Sequence, residues 1–333
     1  MNNVHDYDSL IESIKNNQYI HTLDEYDDKT PDNVLQYYKV LIETKDPRSL
    51  QDKDGWTTLM LVCINYKHDN LPKVVELLKD TRNIQDKDGY TALMFACSNY
   101  KHDNLPEIVE ILKDTRNIQD KDGYTALMFA CANYTHYTLP KIVEILKDTG
   151  NIQDKDGDTA LIVACINYNQ PNLPEIVEML KDTMYIQNKD GWTALMYACA
   201  NYRRNNLPEI VKILKDTMHI QDECGWTALI YACMNYKHNN LSEIVKMLKD
   251  IRMSQNEYGK TALMYACENY RHDNLPEIIE MLKDTCGYKN NDGFTYIDIL
   301  NNNKLSKNVS CTDDGIYDKC TDDDRRCMCM ANK

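Results

Sequence analysis

Gln85-Asp86-Lys87-Asp88-Gly89-Tyr90-Thr91-Ala92-Leu93-Met94-Phe95-Ala96-Cys97 decides the architecture, because nearly the same words return along the chain. Its glycine belongs to a series, Gly55, Gly89, Gly123, Gly157, Gly191, Gly225, Gly259 and Gly293, at a constant spacing of 34 residues. A period of about 20–50 residues marks a stack of small units, none of which can bury its apolar face alone. Such a stack offers an extended surface rather than a single cleft.

Residues 85–118 make up one unit. Gln85 to Tyr90 is polar and turn-like, with glycine where a positive φ costs little. Thr91 can cap a helix over about Ala92–Tyr100, to which Leu93, Met94, Ala96 and Cys97 give apolar contacts. A turn at Lys101-His102-Asp103 comes next. Asn104-Leu105-Pro106-Glu107 then reads as a helix start, with Asn as N-cap, Pro in the first turn and Glu three residues after the cap. Ile108, Val109, Ile111 and Leu112 share one side of this second helix, while Glu107, Glu110 and Lys113 take the other. Each unit is therefore expected to be a turn plus two short antiparallel helices.

The units 51–84, 85–118, 119–152, 153–186, 187–220, 221–254 and 255–288 form one array, and a partial eighth occupies 289–309. Apolar residues make up 43% of the 333, enough for a core spread evenly over the units. The net charge of −14, with Lys and Arg interspersed among Asp and Glu, leaves no basic face for nucleic acid and disfavours an anionic membrane. No apolar run approaches the roughly 20 residues of a membrane span, and Met1-Asn2-Asn3-Val4-His5-Asp6 does not read as a signal peptide. An intracellular, cytoplasmic protein is the expectation. Seven of the 13 cysteines fall in one column, Cys63, Cys97, Cys131, Cys165, Cys199, Cys233 and Cys267. Stacked helices stand about 8–10 Å apart, too far for a disulfide, so these thiols are expected to be free and buried. Free thiols suit a reducing compartment.

The Gly-Tyr-Thr-Ala-Leu-Met-Phe-Ala-Cys stretch and Glu107-Ile108-Val109-Glu110-Ile111-Leu112 resemble the ankyrin repeat, whose pattern runs Gly-x-Thr-Pro-Leu-His-x-Ala-Ala and, in the second helix, Glu-Ile-Val-x-x-Leu. The resemblance covers about 51–309. It implies an all-α fold, an α-solenoid of ankyrin repeats, acting as a noncatalytic scaffold. Ala92, Met94 and Cys97 depart from the family's Pro, His and second Ala. The abundance of Asn, Lys, Tyr and Ile, with only three Phe, is similar to ankyrin proteins of large DNA viruses with AT-rich genomes. A host protein is the partner that this resemblance implies.

Residues 1–50 lack the glycine series and read as a helical capping region, needed to cover the first core face. An unrelated small module is the alternative. A ubiquitin-ligase adaptor would use the same 50 residues. Residues 310–333 form an acidic tail with Cys311, Cys320, Cys327 and Cys329, expected to be mobile. Its cysteine spacings lack the paired knuckles of zinc modules. Unit 153–186 is the odd one: Asp158 stands where others carry an aromatic residue, and Gly150 precedes it where Arg82 and Arg116 precede its neighbours. Opening is expected to begin around 150–175.

The column after each glycine reads Trp56, Tyr90, Tyr124, Asp158, Trp192, Trp226, Lys260 and Phe294. In the ankyrin family this position lies at the hairpin, facing the concave groove. Exposed rings about 10 Å apart would serve as anchors for a protein, since Trp and Tyr dominate interface hot spots. The competing reading packs each ring on its own or the next hairpin. A second varying column, Ile64, Ser98, Ala132, Ile166, Ala200, Met234 and Glu268, also borders the groove by the family resemblance. Leu61, Phe95, Phe129, Val163, Tyr197, Tyr231 and Tyr265 change only among bulky apolar types and read as core. The invariant column Tyr66 to Tyr270 reads as structural, closing the first helix onto the turn. The turn histidines, His68, His102, His136, His238 and His272, stand too far apart to share a metal. No catalytic motif, cofactor or metal site is read from the chain, and a monomer is expected.

Overall fold

The structure is a computed structural model that describes residues 51–306, apart from 52–53, 66–68, 70, 100–102, 134–136, 168–170 and 202. The expectations for 1–50 and 310–333 lie outside the described residues. The chain divides into two compact units, Met1–Lys189 and Asp190–Lys333.

Within the first unit the helices come in pairs: α1 (Thr58–Asn65) with α2 (Leu71–Leu78), α3 (Ala92–Asn99) with α4 (Leu105–Leu112), α5 (Ala126–Asn133) with α6 (Leu139–Leu146), and α7 (Ala160–Asn167) with α8 (Leu173–Leu180). The second unit continues the plan with α9 (Ala194–Asn201), α10 (Leu207–Leu214), α11 (Ala228–Asn235), α12 (Leu241–Leu248), α13 (Ala262–Asn269), α14 (Leu275–Met281) and the longer α15 (Tyr296–Ser306). Inside each unit, first helices pack on first helices, as α3 does on α1 and α5, and second helices pack on second helices, as α12 does on α10 and α14. This is the all-helical solenoid stack that the 34-residue period predicts.

Isolated helices of eight residues are unstable in water, so packing must hold them. The two helices of a pair do this differently. In α3 every residue from Ala92 to Cys97 is buried, so the helix is apolar nearly all round. In α4 the buried set is Leu105, Ile108, Val109 and Leu112, at the three- and four-residue spacing of one helical stripe. A short 3₁₀ turn at Lys113–Thr115 ends α4, and Thr115 Oγ1 donates to the Leu112 carbonyl at 2.9 Å. Truncating such a buried Leu to Ala costs about 2–5 kcal/mol.

Thr91 caps α3, since the Met94 N–H donates to its Oγ1 at 3.4 Å. The departure of Met94 from the family's His has a local account. Its sulfur accepts the Thr91 N–H at 3.4 Å, closing a reciprocal box that Thr57–Met60 and Thr125–Met128 repeat. The second cap is a correction. Asn104 sits at the N-cap of α4 without a side-chain capping bond. In the second unit Asn240 and Asn274 turn away from their own helices, and their Nδ2 groups donate to the carbonyls of Asn205 and Asn239, one repeat earlier, at 2.6 Å. Neighbouring turns win the asparagine over its own helix because the turn carbonyls otherwise lack donors.

All seven cysteines of the column are buried free thiols, as the spacing argument requires. Burial pushes Cys63 and Cys131 up to about 12. Among the described residues no helix is long and apolar enough to cross a membrane.

Candidate functional site: the hairpin and first-helix face

Each hairpin is built around one carboxylate or amide. Asp120 Oδ1 accepts the N–H of Asp122 at 2.9 Å and of Tyr124 at 2.8 Å. Asp86, Asp154, Asp222, Asn256 and Asn290 repeat the arrangement. Glycine is required next because the chain must turn at positive φ, +87° at Gly123. A Cβ there would also stand 2.8 Å from the Asp154 Cα. That approach lets the Lys155 N–H donate to the Asp122 carbonyl at 2.9 Å. Gln119 Nε2 donates both to its own hairpin at Gly123 O, 2.6 Å, and to Gln153 O of the next, 3.0 Å. The hairpins are thus stapled to each other at one-repeat spacing.

Five rings of the post-glycine column pack against rings of the bulky column. In the first unit Tyr90 stacks on Phe95 at 5.2 Å and meets Phe129 of the next repeat at 5.2 Å, while Trp56 and Tyr124 cover the ends at 4.9 Å from Phe95 and 5.4 Å from Phe129. In the second unit Trp192 lies 4.5 Å from Tyr197 and 4.3 Å from Tyr231, and Trp226 lies 5.1 Å from Tyr231 and 5.2 Å from Tyr265. Each unit therefore carries a ladder in which post-glycine rings alternate with rings of the bulky column.

The expectation of exposed rings is corrected at Trp226, which is buried at 7% exposure, while Trp56, Tyr90, Tyr124 and Trp192 keep partial exposure. The physical reason is that a ring inserted between two neighbours gains stacking on both sides. Asp158 is corrected as well: it is 9% exposed, and its Oδ1 accepts from Asn188 Nδ2 at 2.8 Å. It takes the place of a ring with a polar contact, next to Val163 in the bulky column. The bulky column is buried or half-buried throughout, as its composition predicts.

Ile64, Ser98, Ala132, Ala200 and Met234 are all half-exposed on the first helices, next to the ladder. Glu268, in the same column, pairs with Lys260 Nζ at 2.9 Å, and that ammonium lies 5.1 Å from the centre of the Tyr265 ring. The sequence reading missed this pair; charges of opposite sign in two adjacent columns of one repeat were its signal.

The ladder tunes its polar groups. Burial raises the Asp120, Asp154 and Asp222 carboxyls, opposed by the hairpin N–H groups they accept from. Tyr231 Oη donates to Asp222 Oδ2 at 2.7 Å. Val163 cannot do this for Asp154, whose Oδ2 is buried without a partner. Burial first, then Asp154 and Asp158, pushes the Tyr124 phenol up to about 12.

At the other end of the first helices, Tyr236 and Tyr270 are 2% and 1% exposed. Their hydroxyls donate to Asn240 and Asn274 Oδ1 at 2.9 and 2.8 Å. They also reach back one repeat, to the carbonyls of Arg204 at 3.0 Å and His238 at 3.1 Å. At these two described positions the tyrosine is structural, and it joins repeats as well as closing its own helix; the other five members of the column lie outside the described residues. His238 and His272 Nε2 likewise donate to the carbonyls of Arg203 and Lys237. Among the described residues no group of His, Cys, Asp and Glu could hold a metal ion.

A family model described as ankyrin repeats (3 copies) matches residues 31–114, 66–154, 100–183, 136–216 and 200–293. No curated protein matches the chain. Among solved structures, the ankyrin repeat domain of Bcl-3, described as a unique member of the IkappaB protein family, is 22% identical, with a TM-score of 0.49 over 68% of this chain and 100% of that one.

Proposed function

The chain belongs to the ankyrin-repeat family, and on that premise we propose that it is a noncatalytic scaffold that binds a protein through the hairpin and first-helix face of its repeats. Ankyrin repeats generally mediate protein–protein interaction. The observation that carries the reading is the contrast between columns on one face. The hairpin backbone repeats and the ladder rings are packed against one another, whereas Ile64, Ser98, Ala132, Ala200 and Met234 differ from repeat to repeat and are partly exposed. Differences displayed on a stapled frame give recognition with little ordering cost. The partner proposed is a host protein met inside an infected cell, on the compositional likeness to ankyrin proteins of large DNA viruses.

The test uses Ser98→Arg and Ala132→Arg, which add bulk to the face and leave every ladder residue unchanged. Affinity purification from host cells is compared between the wild-type chain and the double variant, with helicity checked by circular dichroism. A partner recovered by the wild type and lost by the folded variant supports the reading. A partner held equally by both removes this face as its site.

A further inference from the structure

The inter-helix turns of the second unit carry a charge pattern that the hairpin face does not explain. One residue after the invariant tyrosine column stand Arg203, Lys237 and Arg271, each exposed. Two positions further on, Asp69 and Asp103 of the early repeats give way to Asn205 and Asn239. The second-unit turns therefore keep the cation that Lys67 and Lys101 supply in the first two repeats, and two of the three lose the carboxylate beside it, in a chain of net charge −14. Among the described residues no ion pair reaches these three side chains. Lys237 Nζ donates only to carbonyls, of Met234 at 3.1 Å and Asn269 at 3.4 Å. Arg271 donates to the carbonyls of Cys267, Glu268 and Tyr270. The nearby carboxylates are Glu268, engaged by Lys260, and Asp273, exposed beside His272. Partial burial, and then Arg271 and Arg203 on either side, hold the Lys237 ammonium below its usual range.

The spacing of the row is fixed. Asn240 and Asn274 tie each turn to the one before at 2.6 Å, and the Tyr236 and Tyr270 hydroxyls and both histidines add further bonds to neighbouring carbonyls of the same turns. Successive cations are thus held one repeat apart, about 10 Å for packed helices. A polyproline II segment has three residues per turn and a rise of about 3.1 Å, so residues i, i+3 and i+6 lie on one side about 9 Å apart.

We propose that Arg203, Lys237 and Arg271 form a docking row for an extended acidic segment of a partner protein, with Asp or Glu at every third position. Neither terminal segment of the chain places three acidic residues at every third position: Asp313, Asp314, Asp318, Asp322, Asp323 and Asp324 include no pair three apart, and pairs such as Asp24/Asp27 and Glu25/Asp28 are not continued.

The experiment measures fluorescence anisotropy of two labelled peptides with the full-length protein. One is a Glu-Pro-Pro repeat; the other has the same composition with its glutamates contiguous. The periodic peptide is expected to bind several-fold more tightly, and added salt should weaken it. Neutralising one cation, Arg203→Gln or Arg271→Gln, should weaken binding about two- to fivefold, the range of exposed ion pairs. Arg203→Gln/Lys237→Gln/Arg271→Gln should weaken it about ten- to a hundredfold on the same scale. Equal binding of the two peptides overturns the spacing, and an unchanged triple variant overturns the site. Binding that appears only after removal of 307–333 gives the row to the chain's own tail and overturns a partner in trans. Tighter binding of an RNA oligonucleotide, lost in the triple variant, overturns the peptide.

Discussion

Replacing Tyr231 by Phe removes one hydroxyl and nothing else, and the surroundings of that hydroxyl set the cost. Tyr231 Oη donates to Asp222 Oδ2 at 2.7 Å, while Oδ1 of the same carboxylate holds the N–H groups of Cys224 and Trp226 at 2.9 Å. Asp222 is 7% exposed, so water replaces the lost donor poorly. A hydrogen bond to a charged group contributes about 1.5–3 kcal/mol, which corresponds to about 10- to 150-fold in an opening equilibrium. The Cys224 and Trp226 amides report that equilibrium directly by hydrogen exchange. Repeat arrays lose two-state behaviour, so a single midpoint would not. The pH dependence has a definite sign. Burial already raises the Asp222 carboxyl above its unfolded value, with Tyr231 opposing the rise. A raised carboxyl makes the native state bind more protons, so its stability contribution is fullest at low pH and declines as pH rises through the folded value. Tyr231→Phe raises it further, so the variant's deficit should be largest at neutral pH and shrink as acidification protonates Asp222. Tyr265→Phe is the control: Tyr265 accepts from the neutral Asn256 Nδ2 at 3.0 Å, and its deficit should be about 0.5–1.5 kcal/mol without that pH trend. Unchanged exchange at Cys224 and Trp226 in Tyr231→Phe at pH 7 would refute the reasoning. A deficit independent of pH would refute the role of charge.

Gly123→Ala should destabilise its repeat by more than the roughly 1–2 kcal/mol of a left-handed backbone, because the new Cβ meets the Asp154 Cα at 2.8 Å; thermal unfolding of the variant checks this. Arg116→Ala removes an exposed ion pair to Asp148 at 2.7 Å and should cost under about 1 kcal/mol, vanishing in high salt. In native protein, Cys224 and Cys286 should react with a maleimide well before the buried column does, as mass mapping would show, since burial raises those thiols. Amide protection should be lowest around 150–175, where Asp158 and Val163 interrupt the rings and Asp154 Oδ2 lacks a donor. Protection equal to that of 85–118 would remove that expectation.

Helix pairing, the hairpin glycines and the buried cysteine column were all legible in the sequence, because a 34-residue period repeats each environment many times. Reading failed where one side chain serves two repeats. Asn104 looks like an N-cap because local sequence shows only its own helix. Asn240 and Asn274 instead donate to turns 35 residues away. Trp226 looks like a free anchor for the same reason, since Tyr265, which covers it, belongs to the following repeat. Periodicity reports which residues are equivalent, and it leaves open how far apart equivalent side chains reach.

That distinction changes what the binding face can be made of. A ring held between two rings about 5 Å away has both faces occupied, so Tyr90, Trp192 and Trp226 offer a partner edges rather than faces. Replacing them by Ala would remove scaffold and contact together, and loss of binding would then say nothing about the contact. The half-exposed first-helix column separates the two. Its members differ in size from Ala132 to Met234 while the ladder beside them keeps its spacing. Ladder rings therefore set the register, and the neighbouring column varies what is displayed at each rung. The proposed binding face thus takes its repeat-to-repeat differences from the first-helix column more than from its stacked rings.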